Sequence, residues 1–569
     1  MAGFKKVVDQ TEGYNPPLCG FATDDYLIRV NGLPRIQGMI MQRVSVSGVV
    51  LACTAALLAG CFDGDSDDDR DERPPLVQES RNVSIVSPDG TEIALTLFQP
   101  QLAEGQTAPV LLYSHSWGSS RSTSLEGDDV LEQVARRAWE SGYFVVSFDA
   151  RGFGESGGEV NLQDPALEGQ DTKAIIDWVD ANYGHHLRKQ EDGDPWVGGL
   201  GLSYAGGFQL TGSLVDPRID AIVPAVTWHD LADSLAPSGV AKSLWLTYLY
   251  AGGLSEGRVA PWIDELFDQG WEGSVSQELQ AKLSEHGWST YCSGQRSDGQ
   301  GVPRVDAFFI QGINDTLFNA NEAIRNFECL RESGQDSYLV VARGGHLLPN
   351  LQDGSPGDFD ATVRCGAEEY SLTELAWNFL DSKLRNPEAT LEIPRICVVL
   401  SDTEGLVLDQ IPKGGTVFNL TTSLDLEPVD SSIADLAEDL GILLGLLDDP
   451  VEPSQFINLY EATEAGNLVG VPQIALEVQA EAGLDDPRFW VGVGVQRAGS
   501  DDPELLHDQV WPLRGAGPVS TDLIAVATPL AAGDIVGLLL YDFHPQYARS
   551  YNRDEGTLTI NGTVELPLQ

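Results

Sequence analysis

The feature that most constrains this chain is a serine set among small residues directly after an apolar run. Trp196-Val197-Gly198-Gly199-Leu200 leads into Gly201-Leu202-Ser203-Tyr204-Ala205-Gly206-Gly207. A sharp strand-to-helix turn needs small neighbours, because backbone passes close to backbone there. Such a turn lifts the hydroxyl above the sheet and lets the N–H of the next residue, Tyr204, donate to an oxyanion. The spacing G-x-S-x-x-G recurs by chance, so its surroundings have to carry the assignment.

Those surroundings alternate strand and helix. Asn82–Val86 and Ile93–Leu97 read as a hairpin around Pro88-Asp89-Gly90. Val110–Tyr113 and Phe144–Phe148 are continuous apolar runs, as buried parallel strands are. Asp129–Ser141 and Asp171–Asn182 carry helical spacing, the second with Ala174, Ile175, Trp178 and Val179 on one face. This order predicts an α/β fold, a parallel sheet with helices on both faces. From about 236 to 302 the pattern turns helical and aromatic, with Trp245, Tyr248, Trp262 and Trp271, and reads as a cap insertion. Sheet character returns at Val305–Ile310 and Tyr338–Ala342, and a helix over Leu372–Leu384 closes the unit. From 389 to 569 the segments are mainly β, starting at Thr390–Ile393 and ending at Gly556–Ile560, with Gly, Pro and Asp between them, which predicts a sandwich. A leucine-rich stretch, Ile433–Leu447, interrupts them as a packing helix or an apolar flap near the site.

A serine hydroxyl needs a base, and the base needs an orienting carboxylate. In open α/β sheets ligand chemistry collects at the carboxyl ends of strands. Asp315 follows the strand ending at Ile310, and His346 follows the strand ending at Ala342. The order Ser203, Asp315, His346 is the order this chemistry takes on such a sheet. His185 and His186 precede the serine, His286 lies in the cap, and His507 and His544 lie in the β region. His229 comes too early and reads as a pocket or surface residue. The second oxyanion donor is expected from Ser114-His115-Ser116-Trp117-Gly118, with Trp117 donating through its backbone or its indole N–H and His115 bracing the loop. Arg151, in the turn after Phe148, reads as another brace.

Taken together, D-A-R-G-F-G-E-S at 149–156, G-L-S-Y-A-G-G at 201–207, Asp315, His346 and a following β region resemble the X-prolyl dipeptidyl-peptidase and cocaine-esterase-like hydrolases, over roughly residues 80 to 569. The resemblance implies an α/β-hydrolase with a helical cap and a C-terminal jelly-roll that helps wall the active site. Esterases of that family often place a tyrosine hydroxyl in the oxyanion hole where this chain has Trp117. The tail 543–553 matches the family's late motif only loosely. The expected activity is that of a serine hydrolase cleaving carboxylic ester or related acyl bonds through an acyl-enzyme, without a cofactor. Two alternatives stand beside it: an X-Pro dipeptidyl-peptidase or other acyl-amide hydrolase, and an inactive surface-anchored binding protein.

The first 60 residues read as an address rather than a fold. Residues 1–40 look like an upstream start, and Met41-Gln42-Arg43 precedes an apolar stretch from Val44 to Leu57, too short to span a bilayer comfortably. Leu58-Ala59-Gly60-Cys61 resembles the lipobox of bacterial lipoproteins, so Cys61 is the expected lipidation site and membrane anchor. Phe62 after it favours the outer membrane. Residues 61–79 form an acidic tether, because Asp68 and Pro74 stand where a calcium loop needs glycine and glutamate. The folded body is expected over 80–388 and 389–569. In it Cys292, Cys329, Cys365 and Cys397 make two disulfides in one of three connectivities. Their spacing resembles no zinc site. With 86 acidic and 34 basic residues, the net charge of −52 opposes binding to nucleic acid or anionic membrane surfaces and suits either a salt-rich habitat or an acidic extracytoplasmic protein.

Overall fold

Strands buried on both faces must be largely apolar, and a run of seven parallel strands of this kind organises the molecule. The structure, a computed structural model, describes residues 73–294, 301–347, 361–387, 391–428 and 452–569. Cys61, the lipobox, most of the acidic tether and the Ile433–Leu447 stretch lie outside these residues.

The hairpin β1 (Glu79–Val86) and β2 (Glu92–Gln99) opens the sheet. It is followed by β3 (Val110–Ser114), α1 (Val130–Glu140), β4 (Phe144–Phe148), α2 (Glu168–Tyr183), β5 (Val197–Leu202), α3 (Tyr204–Val215) and β6 (Ile219–Ala225). Then come the cap helices α4 (Leu231–Leu235), α5 (Ser243–Glu256), α6 (Pro261–Trp271), α7 (Gln277–Ser284) and α8 (Ser289–Cys292). The sheet resumes with β7 (Asp306–Gly312), α9 (Ala320–Glu332) and β8 (Ser337–Ala342). A small hairpin, β9 (Thr362–Cys365) and β10 (Glu368–Ser371), precedes α10 (Leu372–Leu384), β11 (Ile396–Val399) and β12 (Gly405–Leu408). The strand order is β1-β2-β4-β3-β5-β6-β7-β8-β11-β12, parallel from β4 to β11 and antiparallel at both edges.

Local chemistry explains the helices that flank this sheet. Asp129 caps α1, its carboxylate accepting from the N–H groups of Leu131 and Glu132 at 3.0 and 2.9 Å. Such a cap contributes about 1 kcal/mol. Leu131, Val134, Ala135 and Ala138 then face the sheet at helical spacing. Helix α2 starts three residues earlier than its apolar period suggests, because Glu168 and Asp171 are buried in its first turn. Asp171 is held there by Arg151, whose Nε and terminal nitrogen donate at 2.9 and 2.7 Å, so Arg151 does brace the loops.

Three expectations need correcting. Of the strand expected over Thr390–Ile393, Thr390 lies outside the described residues and Leu391–Ile393 are not a strand; Pro394 follows them, and no described strand begins until Ile396. The strands β11 and β12 extend the main sheet beyond the boundary expected at 388/389, because the apolar run Ile396–Val399 pairs in parallel with β8. The cap also begins a few residues early, at Leu231.

Beyond β12, four antiparallel strands (Thr416–Leu426, Gly556–Leu566, Gln473–Ala480 and Gly517–Asp522) form one sheet. Gln455–Glu461, Ile535–Tyr541 and Arg488–Gln496, with two short strands, form another. Leu424, Leu476 and Ile560 of the first meet Val491, Leu538 and Leu540 of the second in a shared core, as in a sandwich. This β region reaches the cap through residues 545–550. Ser550 Oγ donates to Ala241 O and Gly273 O, and the Arg549 N–H donates to Ser243 Oγ, all at 2.9 Å.

Candidate active site

Ser203 stands between β5 and α3 at φ 57° and ψ −119°, a conformation that L residues rarely adopt. Strain of this kind persists only where packing enforces it, and it concentrates at functional sites. The local sequence permits it: a Cβ on Gly201 would lie 2.5 Å from Ala205 Cβ, so only glycine lets the helix fold back onto the strand here. The N–H of Tyr204 opens α3, where helix N–H groups have no intrahelical acceptor.

The structure brings Ser203, His346 and Asp315 together. His346 Nε2 is 2.9 Å from Ser203 Oγ, and His346 Nδ1 is 2.7 Å from Asp315 Oδ2. Asp315 is fully buried, and its other carboxylate oxygen accepts from the N–H groups of Leu317 and Phe318 at 3.0 and 2.7 Å. The carboxylate therefore fixes the tautomer: Nδ1 carries the proton, and Nε2 is free to accept one from the serine. The rings of Phe318 and Trp245 stand edge-on to the imidazole, with centroids 5.3 and 6.2 Å away. Gly345, at φ 117°, allows the approach of the two loops, since a Cβ there would sit 2.6 Å from Asp315 Cβ.

Strand pairing places Trp117 nearby, because β3 runs parallel to β5 and the loop after it meets the turn at Ser203. Trp117, Ser203 and Tyr204 share the wall of one cavity. The indole N–H of Trp117, however, donates to Leu249 O in the cap at 2.7 Å. Of the two donors expected from Trp117, only the backbone N–H remains. His115 braces this loop: Nδ1 donates to Ser116 O at 2.9 Å, and Nε2 accepts from the Ala150 N–H at 3.0 Å. Burial holds its imidazole neutral by pushing its pKa down. His229 is buried rather than superficial; Nδ1 contacts Asn326 Oδ1 at 2.8 Å, and burial pushes its pKa down to about 4.

The cavity holds about 60 Å³ and opens to solvent. Trp228, Leu235, Leu249, Ile263, Phe267 and Phe318 form its walls, and among the described residues that line it none is charged. Two residues have roles not read from the sequence: Lys242 donates to Thr316 O and Leu317 O, and Gln509 donates to Asp315 O. A lone lysine inside Val240-Ala241-Lys242-Ser243-Leu244 was a usable signal of a buried ammonium. Gln509, 194 residues from its partner, had none. The disulfides are Cys292–Cys329, joining α8 to α9, and Cys365–Cys397, joining β9 to β11.

Comparison with known proteins agrees with this architecture. Residues 89–348 match the model of the X-Pro dipeptidyl-peptidase (S15) family. An uncharacterized 31.7 kDa protein from the traX-finO intergenic region of Escherichia coli is 31% identical over 140 residues, which are 24% of this chain and 43% of that protein. The uncharacterized protein YcjY of Escherichia coli strain K12 is 25% identical over 148 residues, 25% of this chain and 44% of its own. The chain thus spans less than half the length of these relatives. Among solved structures, an α-amino acid ester hydrolase superposes with a TM-score of 0.57 at 14% identity, over 89% of this chain and 98% of that one. An aminopeptidase from a marine sediment archaeon, Thaumarchaeota archaeon, gives 0.57 at 14%, over 89% and 100%. A CocE/NonD family hydrolase from Staphylococcus aureus gives 0.54 at 13%, over 86% and 94%. At such identities the superpositions speak for the fold, while the family model covers the segment from the first hairpin to His346. Over residues 89–348 the chain is similar to the X-Pro dipeptidyl-peptidase (S15) family, and its fold is that of the α/β-hydrolases on which it superposes.

Proposed function

We propose that this protein is a serine esterase acting outside the cytoplasm on esters with an apolar acyl group. The observation that carries the reading is the apolar wall of the cavity at Ser203. A substrate with a free α-ammonium, such as an X-Pro peptide or an α-amino acid ester, would bury a charge with no carboxylate among the described lining residues to meet it. An unpaired buried charge is costly enough to exclude such a substrate. An aliphatic or aromatic acyl chain, by contrast, gains from every methylene it buries.

The reaction follows from the contacts. His346 Nε2 takes the proton of Ser203 Oγ as that oxygen attacks the acyl carbonyl. The N–H groups of Tyr204 and Trp117 hold the resulting oxyanion, the first aided by the positive end of α3. The imidazolium returns its proton to the leaving alkoxide, which departs as the alcohol. Water then gives its proton to His346 and attacks the acyl-enzyme, releasing the acid and restoring Ser203.

Hydrolysis of p-nitrophenyl butanoate, compared with that of Gly-Pro-p-nitroanilide, tests the substrate class. The ester should be turned over and the amide should not; faster release from the amide would overturn the reading. A fluorophosphonate probe should label the parent and spare Ser203→Ala. The lipobox-like Leu58–Cys61 supports an extracytoplasmic lipid anchor, and two disulfides support an oxidising compartment. Palmitate should be incorporated into the parent and lost in Cys61→Ser.

A further inference from the structure

Three successive carbonyls on the loop of the triad aspartate are each taken by a side chain from outside the sheet. Gln509 Nε2 donates to Asp315 O at 2.9 Å. Lys242 Nζ donates to Thr316 O at 2.8 Å and to Leu317 O at 3.0 Å. Lys242 immediately precedes cap helix α5, and Gln509 lies in the β region, two residues ahead of the strand Trp511–Arg514. Both are buried, Lys242 at 2% and Gln509 at 5% exposure.

Neither contact is one that ordinary packing would supply. Desolvating an ammonium is expensive, and a methionine would fill similar space without that penalty. The acids around Lys242 are Asp315 itself, Glu322 of α9 and Asp233 of α4. Gln509 follows two non-glycine residues in the left-handed region, His507 at φ 58° and Asp508 at φ 56°. That strained turn is fastened on both sides. His507 Nε2 accepts from the Ala527 N–H, and Gln546 Nε2 donates to Asp508 O, each at 3.1 Å. A buried charge and a strained turn thus converge on one short loop.

The loop controls the direction of the carboxylate. Asp315 Oδ1 is tied to the N–H groups of residues 317 and 318, so the aim of Oδ2 at His346 depends on how the peptides of residues 315–317 lie. Their carbonyl ends are what Lys242 and Gln509 hold. We propose that Lys242 and Gln509 are positioning residues for the triad, locking the Asp315–Leu317 backbone so that Asp315 stays on His346. The cap and the β region thereby become parts of the catalytic apparatus although neither side chain touches substrate. The role rests on the serine-esterase reading given above.

Lys242→Met and Gln509→Leu, made singly and together in the full chain, test this, with Ser203→Ala as the blank. Each single change should lower kcat for p-nitrophenyl butanoate by about tenfold or more while KM stays within about twofold, because the acyl cavity is untouched. Fluorophosphonate labelling should slow by the same factor. The double variant should lose less than the product of the two single losses, since both changes act on one loop. Lys242 has a second signature. Burial pushes its pKa down to about 8, so the parent's kcat should fall as pH rises through that value, and Lys242→Met should lack that limb. Unchanged kcat with a lowered melting temperature, or a loss confined to KM, would overturn the proposal. If Lys242→Met does not fold, Gln509→Leu decides alone, since it removes only a neutral donor. A parent that the probe fails to label would overturn the esterase reading and this role together. A labelled parent whose variants react at its rate would overturn the positioning role only.

Discussion

The indole N–H of Trp117 donates to the carbonyl of Leu249 at 2.7 Å, which ties the loop after β3 to the cap helix α5. The ring also packs edge-on against Phe153 and Tyr204, with centroids 5.1 and 5.2 Å away. Trp117 therefore connects the oxyanion side of the site to its roof. Trp117→Phe keeps a ring in place and removes only the tie, so ester kcat should fall by less than about tenfold. Loss of a true oxyanion donor costs roughly 10²–10³ in kcat. Steady-state kinetics on one p-nitrophenyl ester separates the two, and a loss in the second range would place the indole N–H on the oxyanion.

The apolar cavity sets a chain-length dependence. Burying a methylene contributes about 0.8 kcal/mol, or about fourfold in kcat/KM. From acetate to butanoate to hexanoate each ester adds two methylenes, so kcat/KM of the p-nitrophenyl esters should climb by about fifteenfold per member until the space between Leu235, Ile263 and Phe267 is filled. A flat series, or a preference for acetate, would mean that the acyl group does not enter this cavity.

The disulfides make a third test. Cys292–Cys329 closes 37 residues and Cys365–Cys397 closes 32. By the chain-entropy relation each restrains the unfolded chain by about 4 kcal/mol. Cys329→Ser should lower stability by nearly that much in denaturant titration. Peptide mapping without reduction should find these two pairings and neither of the other two connectivities.

The contrast between what could and could not be read from the chain follows the distance over which each feature is determined. Ser203, Asp315 and His346 are separated by more than a hundred residues from first to last, yet each announces itself locally: a glycine-flanked turn after an apolar strand, or a loop after one. The parallel sheet brings strand ends together whatever the loops contain, so three local signals suffice to place one site. The run Ile396-Cys397-Val398-Val399 carried the same continuous apolar signal as β4, and it was obscured only because α10 looked like a closing element. Cysteine pairing had no local signal, since it depends on α8 coming to lie against α9. Gln509 had none either, because its amide reaches Asp315 only after the β region docks.

His544 supplies a pH test confined to one buried group. Its ring stands edge-on to Tyr541, with centroids 5.5 Å apart, and among the described residues Nδ1 has no hydrogen-bond partner. Burial pushes its pKa from 6.5 down to about 3. The unfolded chain therefore takes up a proton below pH 6.5 that the folded protein refuses, and folding stability is lost as pH falls from 6.5 toward 3. Asp220, held up to about 7 by burial, and Asp233, held up to about 6, act in the opposite sense, so the parent's own pH curve mixes the two signs. A difference measurement isolates the histidine. His544→Phe preserves an aromatic ring but cannot be protonated. Relative to its effect at pH 8, it should stabilise the protein by about 2–3 kcal/mol at pH 4.5. Urea titrations of parent and variant at both pH values give this double difference, in which the carboxylate contributions cancel; a difference near zero would mean that His544 is protonated in the folded protein and that its site admits the charge.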